Sequence, residues 1–339
     1  MGLESPKVTV LMPVYNGERH LKEAVDSVLN QTFKDFEFLI INDGSADESV
    51  KIIEKYCDAR IRLVHNEKNL QLIATLNKGI QLARGEYIAR MDCDDVCLPQ
   101  RLERQITFMD QHRDFGVCGS WISIFSEKSK STWQPPTDSD EISSLLFFNA
   151  GVAHPSVIMR TKFFVDNGLY YDPSFIHAED YELWTRAIEH FKFANIPEIL
   201  LCYRETSGQI SKIFNDKQKE SATRVRLRQL QKLDITPDNK EIAIHKSMMH
   251  AKFTRSLEYL NELARWLTKI RRANVRKKRY IEPYFSNQLK LKWFHACYAT
   301  ACFRNPTWRV LRKSELYDPE LISRADQLRL VLKSTLKTW

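Results

Sequence analysis

Three clusters of polar residues stand directly after apolar runs, and the most acidic of them has residue types suited to metal chemistry. Asp92-Cys93-Asp94-Asp95 places three carboxylates within four positions, and such charges repel one another unless solvent or a cation compensates. Carboxylate oxygens are the hard ligands that Mg²⁺ and Mn²⁺ prefer, often together with substrate phosphates. The cluster predicts a metal–diphosphate site. A solvated turn in which Asp94 or Asp95 caps the next helix is the structural alternative.

The second cluster, Asn42-Asp43-Gly44-Ser45, offers a carboxylate that can accept a hydrogen bond from a nucleobase N–H. Tyr15, in the third cluster Tyr15-Asn16-Gly17, can stack on that base or border it. These residue types also favour an ordinary turn followed by a capped helix. Nucleotide binding and a plain turn therefore both remain open at this point.

Two adjacent acids, Glu179 and Asp180, open a predicted helix in Ala178-Glu179-Asp180-Tyr181. Acids in a first turn are stabilised by the helix dipole, which is a sufficient structural explanation. A general base, however, needs a carboxylate held near the reacting hydroxyl. If the acidic cluster holds the phosphates of a donor, Asp180 can supply such a base.

The elements that must position these side chains alternate in type along the first 95 residues. Buried strands are predicted at Val8–Val14, 36–41, 61–64 and 87–91, with helices between them. This order predicts a parallel sheet with right-handed crossovers, in which ligands bind at the carboxyl ends of the strands. The three polar clusters follow three of these strands, so we expect them to share one edge of the sheet.

The rest of the chain has a weaker pattern. We predict a helix over 99–112, a strand over 116–125, a polar loop over 126–140, and a helix from Ala178 to His190, with mostly helix from 210 onward. Residues 241–339 hold 21 basic and 8 acidic residues, whereas residues 1–240 hold 30 basic and 35 acidic ones. An acidic body with a basic helical region indicates two tasks.

Other global features point to a protein that works on the cytoplasmic side. Neither an N-terminal secretory leader nor a run of about 18 apolar residues is recognisable. The seven cysteines show no CxxC pair, and reduced thiols are the expected state. We therefore expect a cytoplasmic protein, peripheral at the inner face of the membrane if its basic region binds anionic lipid.

The chain resembles family 2 glycosyltransferases with the GT-A fold in four segments that follow in order. They read VTVLMPVYNGERHLKEAVDSVLNQTFKDFEFLIINDGSADES, GEYIARMDCDDVCLPQRLERQ, AEDYELW and YRETSGQIS. The pattern is most similar to lipooligosaccharide and capsule transferases, including β-1,3-N-acetylglucosaminyltransferases. The resemblance implies a Rossmann-like, mostly parallel α/β sheet flanked by helices. It implies a catalytic domain over 1–215 and a helical, basic region over 216–339.

The resemblance also implies roles for particular residues. Positions that hold the nucleotide are matched by Pro13, Tyr15 and Asp43. The DxD motif is matched by Asp92, near ribose and diphosphate, and Asp94, which reaches Mn²⁺ or Mg²⁺, with Asp95 as a further acid. The general base is matched by Asp180, with Glu179 beside it, and the donor–acceptor junction by His154.

Three positions depart from the family pattern. Thr206 stands where many members have a histidine that contributes to the metal or diphosphate site. Gln71 stands where a glycine often follows Asn69-Leu70, and Asn42 stands where many members have an aspartate. None of these departures removes the DxD motif or the matched base.

The function that the resemblance implies is inverting transfer of a sugar from a UDP-GlcNAc, UDP-Glc or UDP-Gal type donor. The acceptor would be a glycan or a lipid-linked glycan in polysaccharide or lipopolysaccharide synthesis, and the product a β-glycoside. A nucleotidyltransferase is the first alternative, although its Gly-rich phosphate loop is missing after the first strand. A non-catalytic nucleotide-sugar-binding homologue is the second, because Thr206 replaces the histidine.

The basic run 269–280 allows three interpretations. Interleaved aromatic residues such as Trp266, Trp293, Phe303 and Trp308 can form the core of a solvated helical subdomain. Polybasic segments are also attracted to anionic membrane surfaces. Nucleic acid is the least favoured partner, because no recognised reading motif accompanies the charge.

Overall fold

The computed structural model describes residues 5–127, 129–206, 215–302 and 307–335. The chain divides into two compact units, Met1–Ala222 and Thr223–Trp339. The division falls shortly after the boundary predicted at residue 215.

The first unit begins with the predicted alternation of strands and helices. It contains β1 (Val8–Val14), α1 (Glu18–Leu29), β2 (Phe36–Asn42), α2 (Ser49–Glu54), β3 (Ile61–His65), α3 (Leu72–Leu82) and β4 (Tyr87–Arg90). The strands lie in the order β3-β2-β1-β4 and all pair in parallel. Every residue of β1 and β2 is buried, which explains why both read as continuous apolar runs.

The second half of this unit extends the same sheet with mixed pairing. Its elements are β5 (Val96–Cys97), α4 (Arg101–Gln111), β6 (Phe115–Phe125), β7 (Lys130–Trp133), α5 (Ser139–Leu145), a 3-10 turn (His154–Ser156), β8 (Ile158–Arg160), α6 (Thr161–Asp166), α7 (Glu179–Ala187) and β9 (Lys192–Arg204). The order continues β4-β8-β6-β9-β5, and β7 pairs with β6. Strands β6 and β9 are parallel, whereas β8, β5 and β7 join antiparallel.

The polar loop predicted over 126–140 is the element that the structure corrects. It contains β7 and the first residues of α5. Three of the four residues of β7 are exposed, and a strand with both faces in water carries no apolar alternation to reveal it.

The second unit is helical in the part that the structure describes. It contains most of α8 (Asn215–Gln231), then α9 (Asn239–Met249), α10 (Leu257–Lys277), α11 (Tyr284–Thr300), α12 (Thr307–Lys313), a 3-10 turn (Pro319–Leu321) and α13 (Arg324–Thr335). Trp266 and Trp293 are buried, so these aromatic residues form the core of the unit. Phe303 lies outside the described residues. Among the described helices, none has both the length and the hydropathy that a membrane span requires.

Candidate active site

The three polar clusters meet at one edge of the sheet, as the sequence predicts. The Asn16 side chain accepts the Ala46 N–H at 2.9 Å, and its own N–H donates to the Ser45 hydroxyl at 3.0 Å. These bonds join the ends of β1 and β2. At the end of β4, Cys93 lies so close to Gly17 that a Cβ on this glycine would stand 3.0 Å from the sulfur. The expected convergence is therefore confirmed.

Asp43 is held rigidly at the end of β2. It is buried, and its Oδ1 accepts hydrogen bonds from the Asn66 amide at 2.7 Å and the Leu70 N–H at 2.8 Å. Gly44 adopts φ of +74°, and a Cβ there would lie 2.7 Å from the Asn69 nitrogen. Only glycine fits under this loop. The Oδ2 atom of Asp43 accepts no hydrogen bond within the described chain, so it is the oxygen left for a ligand.

Pro13 and Tyr15 differ in what they can offer to a nucleotide. Pro13 is buried inside β1, where it pairs with Ile41. Tyr15 follows the end of that strand and is 51% exposed. Tyr15 therefore presents a ring to solvent at the end of the strand that neighbours the one before Asp43, whereas Pro13 can act only by shaping the strand end.

The acidic loop places its three carboxylates within 4.8 Å of one another. Asp92 is half-buried and its Oδ2 lies 2.5 Å from the Arg90 Nη1. Asp95 is fully buried, its Oδ1 accepts the Arg204 N–H at 2.9 Å, and its Oδ2 has no described partner. Burial and then the Asp92 charge raise the pKa of Asp94 to about 6. The Asp94 side chain is partly exposed and, unlike that of Asp92, forms no ion pair with a described residue.

Glu179 and Asp180 stand in the first turn of α7. Glu179 is buried and its Oε2 has no hydrogen-bond partner among the described residues. Burial and then the neighbouring Asp180 raise the pKa of Glu179 to about 7. Asp180 is half-buried, and burial raises its pKa above the ordinary range, whereas the Arg90 charge opposes the rise. Each carboxylate of the pair is therefore more basic than an exposed one.

His154 joins this region as a neutral group. Its Nε2 lies 2.8 Å from the Tyr171 hydroxyl, and its ring meets Trp184 edge-on at 5.9 Å between centroids. Burial first, and then the Arg90 charge, hold the pKa of His154 well below its usual value. It can form hydrogen bonds here but adds no positive charge.

Two arginines of the site are not recognised from the sequence alone. Arg90, at the end of β4, interacts with Asp92 and with both acids of α7. Arg204, at the end of β9, donates to the Asp94 carbonyl at 2.8 Å and lies 2.5 Å from the Glu23 carboxylate. The signal that points to Arg90 is a lone charge in the apolar run YIARM. Thr206 is the last described residue before the gap, and Gln209 and Ser211 lie outside the described residues.

A divalent cation fits the chemistry of the acidic loop. The available donors are hard carboxylate oxygens, and the surrounding carboxylates outnumber the two arginines. They are Asp92, Asp94, Asp95, Glu179 and Asp180. A cation offsets the repulsion that raises the pKa of Asp94. Asp94 and Asp92 are the residues near enough to solvent to bind it, since Asp95 is enclosed by protein.

The mixed α/β architecture of the chain is shared with solved structures. TarS of S. aureus, solved with UDP-GlcNAc, superposes with a TM-score of 0.58 at 19% identity and covers 85% of this chain and 87% of that one. A mannosyltransferase of Pyrobaculum calidifontis, solved with GDP-Man and Mn²⁺, gives 0.50 at 13% identity over 97% and 86% of the two chains. These similarities establish the GT-A fold.

Sequence comparison identifies the family to which the chain belongs. The Glycosyl transferase family 2 profile matches residues 9–168. An uncharacterized glycosyltransferase of Methanocaldococcus jannaschii is 37% identical over 211 residues, 60% of this chain and 72% of the relative. The Erwinia amylovora amylovoran biosynthesis glycosyltransferase AmsE is 30% identical over 60% and 78% of the two chains. The Escherichia coli O-antigen biosynthesis glycosyltransferase WbnJ is 32% identical over 58% and 79%. The chain belongs to glycosyltransferase family 2 and is a glycosyltransferase.

Proposed function

We propose that the protein transfers a sugar from a UDP-sugar donor to a hydroxyl of a glycan or lipid-linked acceptor during cell-surface polysaccharide synthesis. The donor would be of the UDP-GlcNAc, UDP-Glc or UDP-Gal type, the reaction inverting, and the product a β-glycoside. The observation that carries the proposal is the meeting of three groups in the first unit. These are the sheet edge at Tyr15 and Asp43, an acidic loop at Asp94, and a carboxylate pair at Asp180 whose pKa values are raised.

The comparisons support the class of donor and the biological setting. TarS binds UDP-GlcNAc and the Pyrobaculum enzyme binds GDP-Man, so nucleotide diphosphate sugars suit this fold. AmsE and WbnJ act in amylovoran and O-antigen synthesis, and both have over three quarters of their length matched by this chain. Sugar transfer is thereby favoured over nucleotidyl transfer.

The geometry supports a single displacement at the anomeric carbon. The acceptor hydroxyl attacks this carbon as its proton passes to a carboxylate oxygen of Asp180, and the bond from that carbon to the diphosphate oxygen breaks. Asp180 suits this role because it is half-buried with a raised pKa, whereas Glu179 is enclosed. His154 is held by the Tyr171 hydroxyl at its Nε2, and its other ring nitrogen, Nδ1, can orient a donor or acceptor hydroxyl.

A divalent ion, Mn²⁺ or Mg²⁺, would be held by Asp94 with Asp92 beside it, and when bound it supplies charge neutralisation to the diphosphate leaving group. Other residues of the chain hold the acidic loop in position. Arg204 does so by bonding the Asp94 carbonyl and the Asp95 carboxylate from its side chain and backbone.

Release of nucleotide diphosphate from a panel of UDP-, GDP- and dTDP-sugars with Mn²⁺ tests the donor and the metal. We expect release from one donor class, lost on chelation and lost in Asp94→Ala. The matched control is Asp114→Ala, which removes an exposed carboxylate paired with Lys192 outside the site and should keep the release rate. Turnover that persists in Asp94→Ala or with chelator would contradict the assignment. Binding of a nucleotide sugar without release would favour the non-catalytic alternative, and failure to bind any of these nucleotides would contradict the proposed function.

We further infer that the second unit attaches the enzyme to the anionic inner face of the membrane. At the end of α10 the side chains of Arg276 and Lys278 are exposed and form no ion pair with another described residue. Two exposed apolar side chains stand among them, Val275 at 55% and Ile281 at 49%. Basic groups near an anionic surface contribute about 1 kcal/mol each, and apolar side chains add burial in the interface.

Co-sedimentation with vesicles tests this attachment. We expect binding to vesicles with anionic lipid but not to neutral ones, and a loss of about tenfold or more in Arg276→Glu/Lys278→Glu. The control Lys51→Glu/Lys192→Glu makes the same charge change on exposed residues of the first unit and should bind as the wild type does. Equal losses in both double variants would indicate a net-charge effect and refute a specific surface.

A further inference from the structure

Arg90 is a buried cation at the end of a strand that is otherwise apolar. It is 2% exposed, and its backbone is fixed on both sides. Its N–H donates to the Val157 carbonyl at 3.0 Å, and its carbonyl accepts from the Arg101 side chain at 2.7 Å. A charge is costly to bury unless it is paired, so its partners indicate its role.

The partner in contact with the Arg90 guanidinium is Asp92. Its Nη1 lies 2.5 Å from the Asp92 Oδ2, and its Nε has no hydrogen-bond partner among the described residues. The Oδ2 atom uses electron density to accept this charge-assisted hydrogen bond, and the guanidinium charge also repels a cation. Arg90 thereby disfavours metal binding at this oxygen of Asp92.

Asp94 has no such restraint. Arg204 reaches the Asp94 backbone carbonyl, not its carboxylate. The two carboxylates of the DxD motif therefore differ in their ion pairing before any ligand binds. Asp92 is paired with Arg90, whereas Asp94 is not.

We propose that Arg90 is a positioning residue that holds Asp92 out of the metal's coordination shell. The metal is then bound through Asp94, and Asp92 keeps the oxygen that Arg90 does not bind, Oδ1, for a ribose hydroxyl of the donor. This inference rests on the proposed metal-dependent transfer. It adds a residue that acts through Asp92 and touches neither the metal nor the reacting atoms.

Manganese affinity without donor distinguishes this role from a purely structural one. In Arg90→Met a cation is removed and Asp92 is released to become a second ligand, so we expect Mn²⁺ to bind about tenfold more tightly in calorimetric titration. The donor KM should rise by about tenfold, because Asp92 no longer stands where the donor meets it. Arg90→Lys keeps the charge and should return both values toward those of the wild type.

Arg101→Met is the matched control. Arg101 is also a buried arginine near this edge, 1% exposed, but it bonds neutral groups such as Gln105 and the Arg90 carbonyl. Its loss should lower the thermal midpoint and leave Mn²⁺ affinity unchanged. A merely structural Arg90 would behave in the same way.

Asp92→Asn alone keeps the inference testable if Arg90→Met folds poorly, and together the two substitutions make a double-mutant cycle. Asp92→Asn alone should bind Mn²⁺ within about twofold of the wild type, and it should cancel most of the tightening in Arg90→Met. Arg90→Met affinity equal to or weaker than wild type, or a large loss in Asp92→Asn, would overturn the role of Arg90. Absence of Mn²⁺ binding by the wild type would instead overturn the metal-dependent function itself.

Discussion

Gln71 has a backbone conformation that side chains with a Cβ rarely adopt. It stands immediately before α3 with φ of 69° and ψ of 163°, a region populated almost exclusively by glycine. Its N–H is held by the Asn69 side chain at 2.8 Å, and its carbonyl accepts from Thr75 at 3.1 Å. The conformation is thus fixed by its neighbours, and the position is one where the family often has glycine.

Gln71→Gly should therefore stabilise the protein. Relief of the strain is worth about 1–3 kcal/mol, and the added freedom of glycine in the unfolded chain offsets about 0.4–1 kcal/mol. The net gain is about 1–2 kcal/mol, or about 2–8 °C in the thermal midpoint of a unit of this size. Gln71→Ala is the control, because it removes the side chain but retains the strain and should give no such gain.

Differential scanning calorimetry of the full chain measures this effect. The transition of the first unit is recognised as the one that moves when UDP and Mn²⁺ are added. Gln71→Gly should raise that midpoint relative to both the wild type and Gln71→Ala. Equal midpoints for the glycine and alanine variants would refute the assignment of strain to this backbone.

Two further predictions concern packing and pH. Gly79→Ala should destabilise the first unit by about 1–3 kcal/mol in urea unfolding, because its Cβ would stand 2.4 Å from the buried Leu11 side chain; an unchanged midpoint would contradict this packing. The transfer rate should fall as pH decreases through the raised pKa of the Glu179–Asp180 pair, since a protonated base cannot accept a proton. Glu179→Gln removes the adjacent like charge and should move this acidic limb to lower pH in a kcat profile, and a limb that stays in place would show that the pair is not coupled.

The sequence predicts the first half of the sheet well, because its strands are buried on both faces. Residues of β1 and β2 read as continuous apolar runs, and α1 shows a clear apolar stripe. The convergence of the polar clusters follows from parallel pairing alone. Local patterns therefore suffice where each element is long and enclosed.

The sequence does not predict features that depend on contacts between distant segments. Strand β8 has three residues, and its antiparallel bonds to β4 come from a segment about 70 positions away. The role that we propose for Arg90 depends on its pairing with Asp92, which residue types do not reveal. In the same way, the sequence places Glu179 and Asp180 together but cannot tell which is enclosed, and the structure finds Glu179 buried and Asp180 partly open.

The most direct test of the central claim is a comparison of Asp180→Asn with the wild type in acceptor-dependent transfer, once the donor is identified by the release assay. Asp180→Asn should lower the transfer rate by about 10²–10⁴-fold. Its affinity for donor and Mn²⁺, measured by calorimetry, should stay within about threefold, because the carboxylate acts on the acceptor proton. Transfer at the wild-type rate by Asp180→Asn would contradict the account, as would the loss of donor binding in a folded variant.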